Sequence, residues 1–246
     1  MKELIKTSED VMVMLDELLQ EEKKFNWDTF YEDRTKRVPF FRDIPDENLV
    51  SYVTERVIET GKVLELGCGP GRNAIYLAER GFLVDAVDSS QEALQWAEER
   101  ALTKEVDVNF IKENIFCLNY EAGTYDFVYD SGCFHHIPPH RRTSYLELID
   151  RALKPGGYFA LTTFVEGGEL GGSEISDWDV YRLKSLKGGL GYSEEKLKEI
   201  FDCFEPLEIR LMKEMPAASG MFGVSGLRTA LFKKGRLILP YQRSLF

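Results

Sequence analysis

Residues 63–73 read V-L-E-L-G-C-G-P-G-R-N: an apolar stretch that runs straight into three glycines at alternate positions. Val63, Leu64 and Leu66 predict a short buried strand. A strand that stops at Gly67, Gly69 and Gly71 needs those glycines because its backbone must turn sharply and let a ligand lie against it. The helix predicted next opens at the same place and turns its free N–H groups towards it. A second apolar run, F-L-V-D-A-V, ends at Asp88, twenty-one positions after Gly67. A carboxylate at that spacing is placed to accept hydrogen bonds from ribose hydroxyls. Taken alone, these features suit any nucleoside-bearing cofactor, NAD included. The dinucleotide fingerprint G-x-G-x-x-G/A, however, requires a small residue where this chain carries Arg72.

Outward from this loop, strands and helices alternate. After the helix ending near Gly81 come the strand to Asp88, a helix over Q-E-A-L-Q-W-A-E-E-R-A-L, and a short run V-N-F-I-K-E-N-I. A fourth strand, Y-D-F-V-Y-D, then a helix stopping at L-K-P-G-G and a fifth strand, Y-F-A-L-T-T-F, follow. This alternation predicts βαβ units and a parallel sheet covered on both faces. Residues 166–192 are glycine-rich and read as an insertion over the sheet edge. S-E-E-K-L-K-E-I-F predicts a helix capped by Ser193. P-L-E-I-R-L-M-K-E-M and L-R-T-A-L-F-K-K-G then predict two strands joined by a short loop, the second antiparallel because no helical crossover fits between them. The expected fold is α/β, a doubly wound, mostly parallel seven-stranded sheet with its last strand antiparallel. Upstream, residues 8–24 predict an amphipathic helix with Ser8 as N-cap, and 46–60 a second helix beginning at Asp46. Residues 1–60 thus read as a helical, aromatic lid segment and 61–246 as the core of a single domain.

With the strands that follow it, E-L-G-C-G-P-G-R-N resembles the first motif of class I S-adenosylmethionine-dependent methyltransferases, whose Rossmann-like fold matches the expected sheet. The resemblance covers residues 61–165 through four successive motifs. It implies that Gly67, Gly69 and Gly71 lie beside the methionine part of S-adenosylmethionine, with Glu65 holding the loop. It further implies Asp88 on both ribose hydroxyls, Ser89 beside the adenine, Asn114 reading the adenine amine and Ile115 against the ring. An Asp is commoner where Asn114 stands, and a turn-forming role for Asn114 stays open. The implied activity is methyl transfer to a small-molecule acceptor, leaving S-adenosylhomocysteine. A cofactor-binding module without catalysis and an NAD-type oxidoreductase are the competing readings.

The fourth motif, Y-D-F-V-Y-D-S-G-C-F-H-H-I-P-P-H-R-R, ends a strand at Asp130 and opens a loop at the sheet's C-terminal edge, where open α/β sheets bind ligands. Asp130 is accordingly a candidate cofactor residue. All three histidines of the chain, His135, His136 and His140, fall in this loop. His136 and His140 are four apart, but Pro138 and Pro139 break any helix between them, so no metal site is expected. His135 and His136 are the candidate catalytic residues, for acid–base work or acceptor positioning, beside a structural role in which the rings bond to the loop.

Methyl transfer is an in-line displacement that gains from contact and from exclusion of water. Trp27, Phe30, Tyr31, Phe40 and Phe41 can supply an aromatic cover that favours a sulfonium cation, with Phe30 and Tyr31 the expected cofactor neighbours. Packing of a helix onto the core is the alternative use of these rings. Arg34 or Arg37 is available for the methionine carboxylate. Glu166, Trp178 and Tyr181 in the insertion are candidates for the acceptor wall.

Lys and Arg number 31 against 42 Asp and Glu, a formal charge of −11, which disfavours nucleic acid and anionic membrane as partners. The charge is uneven: residues 211–246 hold six basic side chains and one acidic, so Arg228, Lys233, Lys234 and Arg236 were they clustered would form a local basic patch. No run reaches the length that crosses a bilayer. Four dispersed cysteines without a C-x-x-C pair fit a reducing cytoplasm. Nothing in the sequence sets the acceptor or the oligomeric state.

Overall fold

The structure, a computed structural model, describes residues 4–19, 25–36 and 38–235. Its strands are β1 (Lys62–Leu66), β2 (Leu83–Asp88), β3 (Asn109–Lys112), β4 (Tyr125–Ser131), β5 (Leu153–Phe164), β6 (Glu205–Leu211) and β7 (Leu227–Lys233). Its α-helices are α1 (Ser8–Leu19), α2 (Trp27–Glu32), α3 (Glu47–Thr54), α4 (Arg72–Ala78), α5 (Gln91–Thr103), α6 (Arg142–Ala152), α7 (Asp177–Arg182) and α8 (Glu194–Ile200). The seven strands form one sheet in the order β3-β2-β1-β4-β5-β7-β6. Strands β1 to β5 pair in parallel, and β7 runs antiparallel to both β5 and β6. The chain winds from β1 outward through β2 to β3, then returns to place β4 on the other side of β1. That reversal makes a crevice at the carboxyl ends of β1 and β4, the switch point where open sheets take ligands.

Neighbouring residues of a strand face opposite layers, and both layers are buried. Leu64, Val128 and Phe159 join one apolar cluster, with Tyr145, Ile149 and Phe201. Val63, Phe127 and Ala160 join the other, with Leu49, Tyr52 and Leu77. This two-sided burial explains why the strands read as continuous apolar runs.

Several boundaries differ from the sequence reading. Helix α3 stops at Thr54, well before Gly61, and Arg56 takes a left-handed φ of 57° just beyond it. At α1 the cap is Thr7, one position early: its hydroxyl accepts from the Asp10 N–H, while Asp10 accepts from the Lys6 and Thr7 N–H groups. Residues 20–24, the expected end of that helix, lie outside the described residues. Strand β5 starts at Leu153, so L-K-P-G-G belongs to the strand, with Gly156 at φ 82° and a register shift on the paired stretch of β4. Strand β6 ends at Leu211, and residues 212–226 form a long connection where a short one was expected. That connection docks on the N-terminal segment: Phe222 N–H donates to the Pro45 carbonyl and Glu47 N–H to the Phe222 carbonyl. The insertion at 166–192 lies along the carboxyl end of β4 and β5, where Leu190 N–H donates to the His135 carbonyl and Val165 bridges Tyr192.

Candidate active site

All three glycines of the first loop are left-handed, at φ 66°, 52° and 75° for Gly67, Gly69 and Gly71. Space is as restrictive as conformation. A Cβ on Gly67 would sit 2.8 Å from the Cys133 Cβ, and one on Gly69 would sit 3.0 Å from the Tyr31 hydroxyl. The loop is therefore wedged between the β4 loop on one side and α2 above. Asp88, at the end of β2, ties the loop to its neighbour: Oδ2 accepts from Gly69 N–H at 2.8 Å and Oδ1 from Ser90 N–H at 2.8 Å. Burial raises the Asp88 carboxyl above its ordinary value against the pull of those N–H donors. Each of its oxygens keeps a lone pair for a further donor.

Beneath the loop, Glu65 is buried and pushed up to about 8, chiefly by desolvation and against the attraction of Arg72. It reaches Asn73 and the Ala74 N–H at the start of α4, and its Oε2 has no partner among the described residues. Asp46, fully buried, organises this space. Its Oδ2 accepts from the Tyr129 hydroxyl at 2.7 Å, the Ser131 hydroxyl at 2.6 Å and Asn73 Nδ2 at 3.1 Å. Its Oδ1 lies 2.6 Å from Arg72 Nη1, whose N–H groups point at the Ile44 carbonyl and the Ser131 hydroxyl. Arg72, in place of the fingerprint's small residue, thus spends its length under the loop.

The β4 loop is built on Asp130. Its Oδ1 accepts from the Cys133 N–H at 2.8 Å and the Phe134 N–H at 3.3 Å, and its Oδ2 from the Tyr145 hydroxyl at 2.6 Å. Full burial raises its carboxyl to about 6 against those three donors. The turn this creates sets His135 flat on Phe164, ring centroids 3.7 Å apart, with His136 4.4 Å away. His136 in turn meets Trp27 edge-on at 5.2 Å. Desolvation pushes His135 well below its ordinary value and His136 down to about 4, so both rings are neutral at pH 7. His135 Nδ1 is buried without a hydrogen-bond partner.

Helix α2 closes the crevice from above. Tyr31 is 6% exposed, stacks on Phe41 at 5.5 Å and presents its hydroxyl to Gly69. Phe30 packs on Tyr31, Phe40 and Phe41. The helix is latched to the core by Asp28, whose Oδ1 accepts from the Ser90 hydroxyl at 2.8 Å and the Glu92 N–H at 3.3 Å.

Residues 63–157 match a family profile described as a methyltransferase domain. The stretch from β1 to the start of β5 thus matches a methyltransferase domain. Over 85 residues the chain is 39% identical to an uncharacterized methyltransferase of Schizosaccharomyces pombe, an overlap of 33% of this chain and 59% of that protein. Over 137 residues it is 31% identical to a 2-heptyl-1-hydroxyquinolin-4(1H)-one methyltransferase of Mycobacteroides abscessus, 54% of this chain and 59% of that protein. The chain thus spans about 59% of the length of these curated relatives. Among solved structures, the 1,6-didemethyltoxoflavin-N1-methyltransferase of Burkholderia thailandensis, bound to its substrate and S-adenosylhomocysteine, aligns at TM-score 0.58 and 20% identity, over 96% of this chain and 93% of that one. A structure described by the conversion of a disulfide bond into a thioacetal group during echinomycin biosynthesis aligns at 0.67 and 20%, over 86% and 91%. At such identities these two likenesses establish the fold.

The residues expected around an adenine are spread along the ends of β2 and β3. Ser89 is exposed beside Asp88. Asn114 is exposed and its Oδ1 accepts from the Phe116 N–H at 3.0 Å, making a turn after β3, while Ile115 enters the core. Arg34 points away from the crevice to Glu99 and Trp96 on α5; Arg37 lies outside the described residues. In the insertion, Glu166 pairs with Lys196, Tyr181 bonds His140, and Trp178 is 75% exposed. His140 also meets Asp16 of α1 at 2.8 Å, so it anchors the N-terminal helix, as does Arg141. Along β7, Arg228 and Lys233 stand at opposite ends and Lys234 pairs with Asp150, so these three form no patch; Arg236 lies outside the described residues. Sequence reasoning missed Asp28, Asp46 and Arg100, the last of which ties the Pro70 and Phe41 carbonyls together.

Proposed function

We propose that the chain transfers a methyl group from S-adenosylmethionine to a small organic acceptor, by in-line displacement in the crevice at the ends of β1, β2 and β4. The carrying observation is the convergence there of a left-handed glycine loop, the buried Asp88 and an aromatic cover. When bound, the cofactor supplies an electrophilic methyl on a sulfonium centre. Gly67, Gly69 and Gly71 leave backbone open to it, and Asp88 has lone pairs left for its ribose. Ser89, Asn114 and Ile115 border the adenine end. Glu65 and Asp130 act by holding the two loops in place. Phe30 and Tyr31 bring ring faces that favour a cation and keep water out.

Because burial keeps His135 and His136 neutral, they serve as hydrogen-bonding positioners of the acceptor and not as charged clamps. The unpartnered Nδ1 of His135 is the atom we assign first to an acceptor's O–H, N–H or S–H. The M. abscessus relative and the B. thailandensis neighbour are each named for a small organic molecule, which supports an acceptor of that size. We further place the protein in the cytoplasm, a reading supported by four free cysteines. Among the described residues no helix is long and apolar enough to cross a membrane.

Isothermal titration with S-adenosylhomocysteine tests the assignment. Wild-type chain should bind one equivalent, and Asp88→Ala should weaken binding by roughly a hundredfold or more, the loss of two hydrogen bonds to a charged group. Absence of binding by wild type would overturn the function. Unchanged affinity in a variant that melts cooperatively would overturn the role of Asp88.

A further inference from the structure

A cavity of about 520 Å³ opens on the outer side of the lid, between Arg34, Lys36, Val38, Phe41 and Arg42 on one side and the long β6–β7 connection on the other. Its lining is divided by chemistry. Phe41, Met221 and Phe222 make an apolar floor, with Phe41 and Phe222 buried. Arg34, Lys36 and Arg42 stand at the walls, and among the described residues no carboxylate lines the space. Three cations and no acid is an unusual local balance in a chain of net charge −11.

Two of those cations have charge to spare. Arg34 is committed to Glu99, which lies outside the cavity. Lys36 bonds the Phe30 carbonyl and rests 4.4 Å over the Phe30 ring, and Arg42 reaches the Ala217 carbonyl at 3.4 Å. Asp33, which does not line the cavity, is the carboxylate whose charge Lys36 feels, and it is itself bonded to Thr35. A cationic rim over an aromatic and thioether floor matches a ligand with an anionic head and an apolar body, since each half offsets the desolvation of the other.

We propose that this cavity is a second ligand site, for a small organic anion with an apolar body, separate from the methyl-transfer crevice. The wall between the two is the Tyr31–Phe41 stack, whose far side covers Gly69. An occupant therefore braces the lid from outside by fixing Phe41. Phe222, on the same floor, also lies 4.9 Å beneath the Arg72 guanidinium.

The test uses the full chain and 8-anilinonaphthalene-1-sulfonate, an anion with an apolar body, followed by its fluorescence. One saturable site is expected, with decanoate displacing the probe and decanol failing to do so. Arg42→Glu, an exposed position, should weaken the probe by at least about tenfold, and Arg42→Lys should restore most of the loss. Asp88→Ala should leave probe binding intact, which separates this site from the cofactor crevice whatever becomes of that assignment. Displacement by S-adenosylhomocysteine, equal displacement by decanol, non-saturable binding, or indifference to Arg42→Glu would each overturn the proposal.

Discussion

Replacing Asp46 with asparagine probes how the crevice is held from behind. The Asp46 carboxylate is fully buried, receives three hydrogen bonds on Oδ2 and faces the Arg72 guanidinium with Oδ1. Asparagine removes the charge and turns one of those oxygens into a donor that confronts donors. Arg72, 6% exposed, is then left as a buried cation without its partner. Breaking such a pair from one side costs about 3–5 kcal/mol, a large part of the ~5–15 kcal/mol that holds a typical domain together. Glu65, already attracted to Arg72, can ionise in response and so draws the loss towards the lower end of that range. At ~2–4 °C per kcal/mol for a chain of this size, the melting temperature should fall by roughly 6–20 °C. Guanidinium unfolding of wild type, Asp46→Asn, Arg72→Met and the double variant reads the pair directly. The double variant should be less damaged than the two singles taken together, with a coupling of about 2–3 kcal/mol. Some damage should persist, because Arg72 also bonds the Ile44 carbonyl and Ser131. A loss below about 1 kcal/mol for Asp46→Asn, or strict additivity in the double variant, would refute the reasoning.

Glu65 gives a pH signature. Its carboxyl is raised from 4.5 to about 8, so between those values the folded chain keeps a proton that the unfolded chain has released, and stability falls as pH rises through that window. Glu65→Gln should remove the slope: its melting temperature should move above that of wild type between ~pH 5 and ~pH 8.5, and a constant difference would count against the protonated carboxyl. At the lid, Asp28→Ala removes the acceptor that the Ser90 hydroxyl and Glu92 N–H share. Opening should become about tenfold more populated, seen as faster cofactor exchange by stopped-flow tryptophan fluorescence; unaltered exchange would show that α2 is held by its rings alone.

The parts of this protein that were legible in its sequence are those set by local chemistry. A strand that ends in alternating glycines, and an aspartate at the end of the next strand, each declare their geometry within a few residues. The left-handed φ values of Gly67, Gly69 and Gly71 and the Asp88–Gly69 bond realise that reading. The mostly parallel sheet and the antiparallel β7 followed from which connections were long enough to hold a helix. What stayed hidden depends on partners far along the chain. Asp46 read only as the start of a helix, yet its side chain makes no cap bond and instead meets Tyr129, 83 positions away. The sequence also offered L-K-P-G-G as a stop, but Leu153 pairs with Tyr125 and draws the turn into β5. No periodicity announces that residues 212–226 fold back onto Pro45 and Glu47, since the contact joins backbone groups to one another and the Glu47 carboxylate to a partner 166 positions away.

The aromatics of residues 27–41 show why one further question could not be answered from composition. Cofactor cover and core packing looked like alternatives, but one placement of Tyr31 is compatible with both: its ring is buried against Phe41 while its hydroxyl rests over Gly69. Burying rings such as Tyr31 and Phe41 is worth about 1.5–3 kcal/mol each, and the Asp28 latch adds about 1–3 kcal/mol more. A closed lid of that stability has to open before the glycine loop can receive a ligand. Cofactor affinity is then scaled down to the fraction of time the lid spends open, unless the same rings find new contacts on the bound molecule. Tyr31 and Phe30, brought to the loop by a helix of six residues, are the side chains positioned to make that exchange. The aromatic excess in this segment is thus what lets one element be both wall and gate.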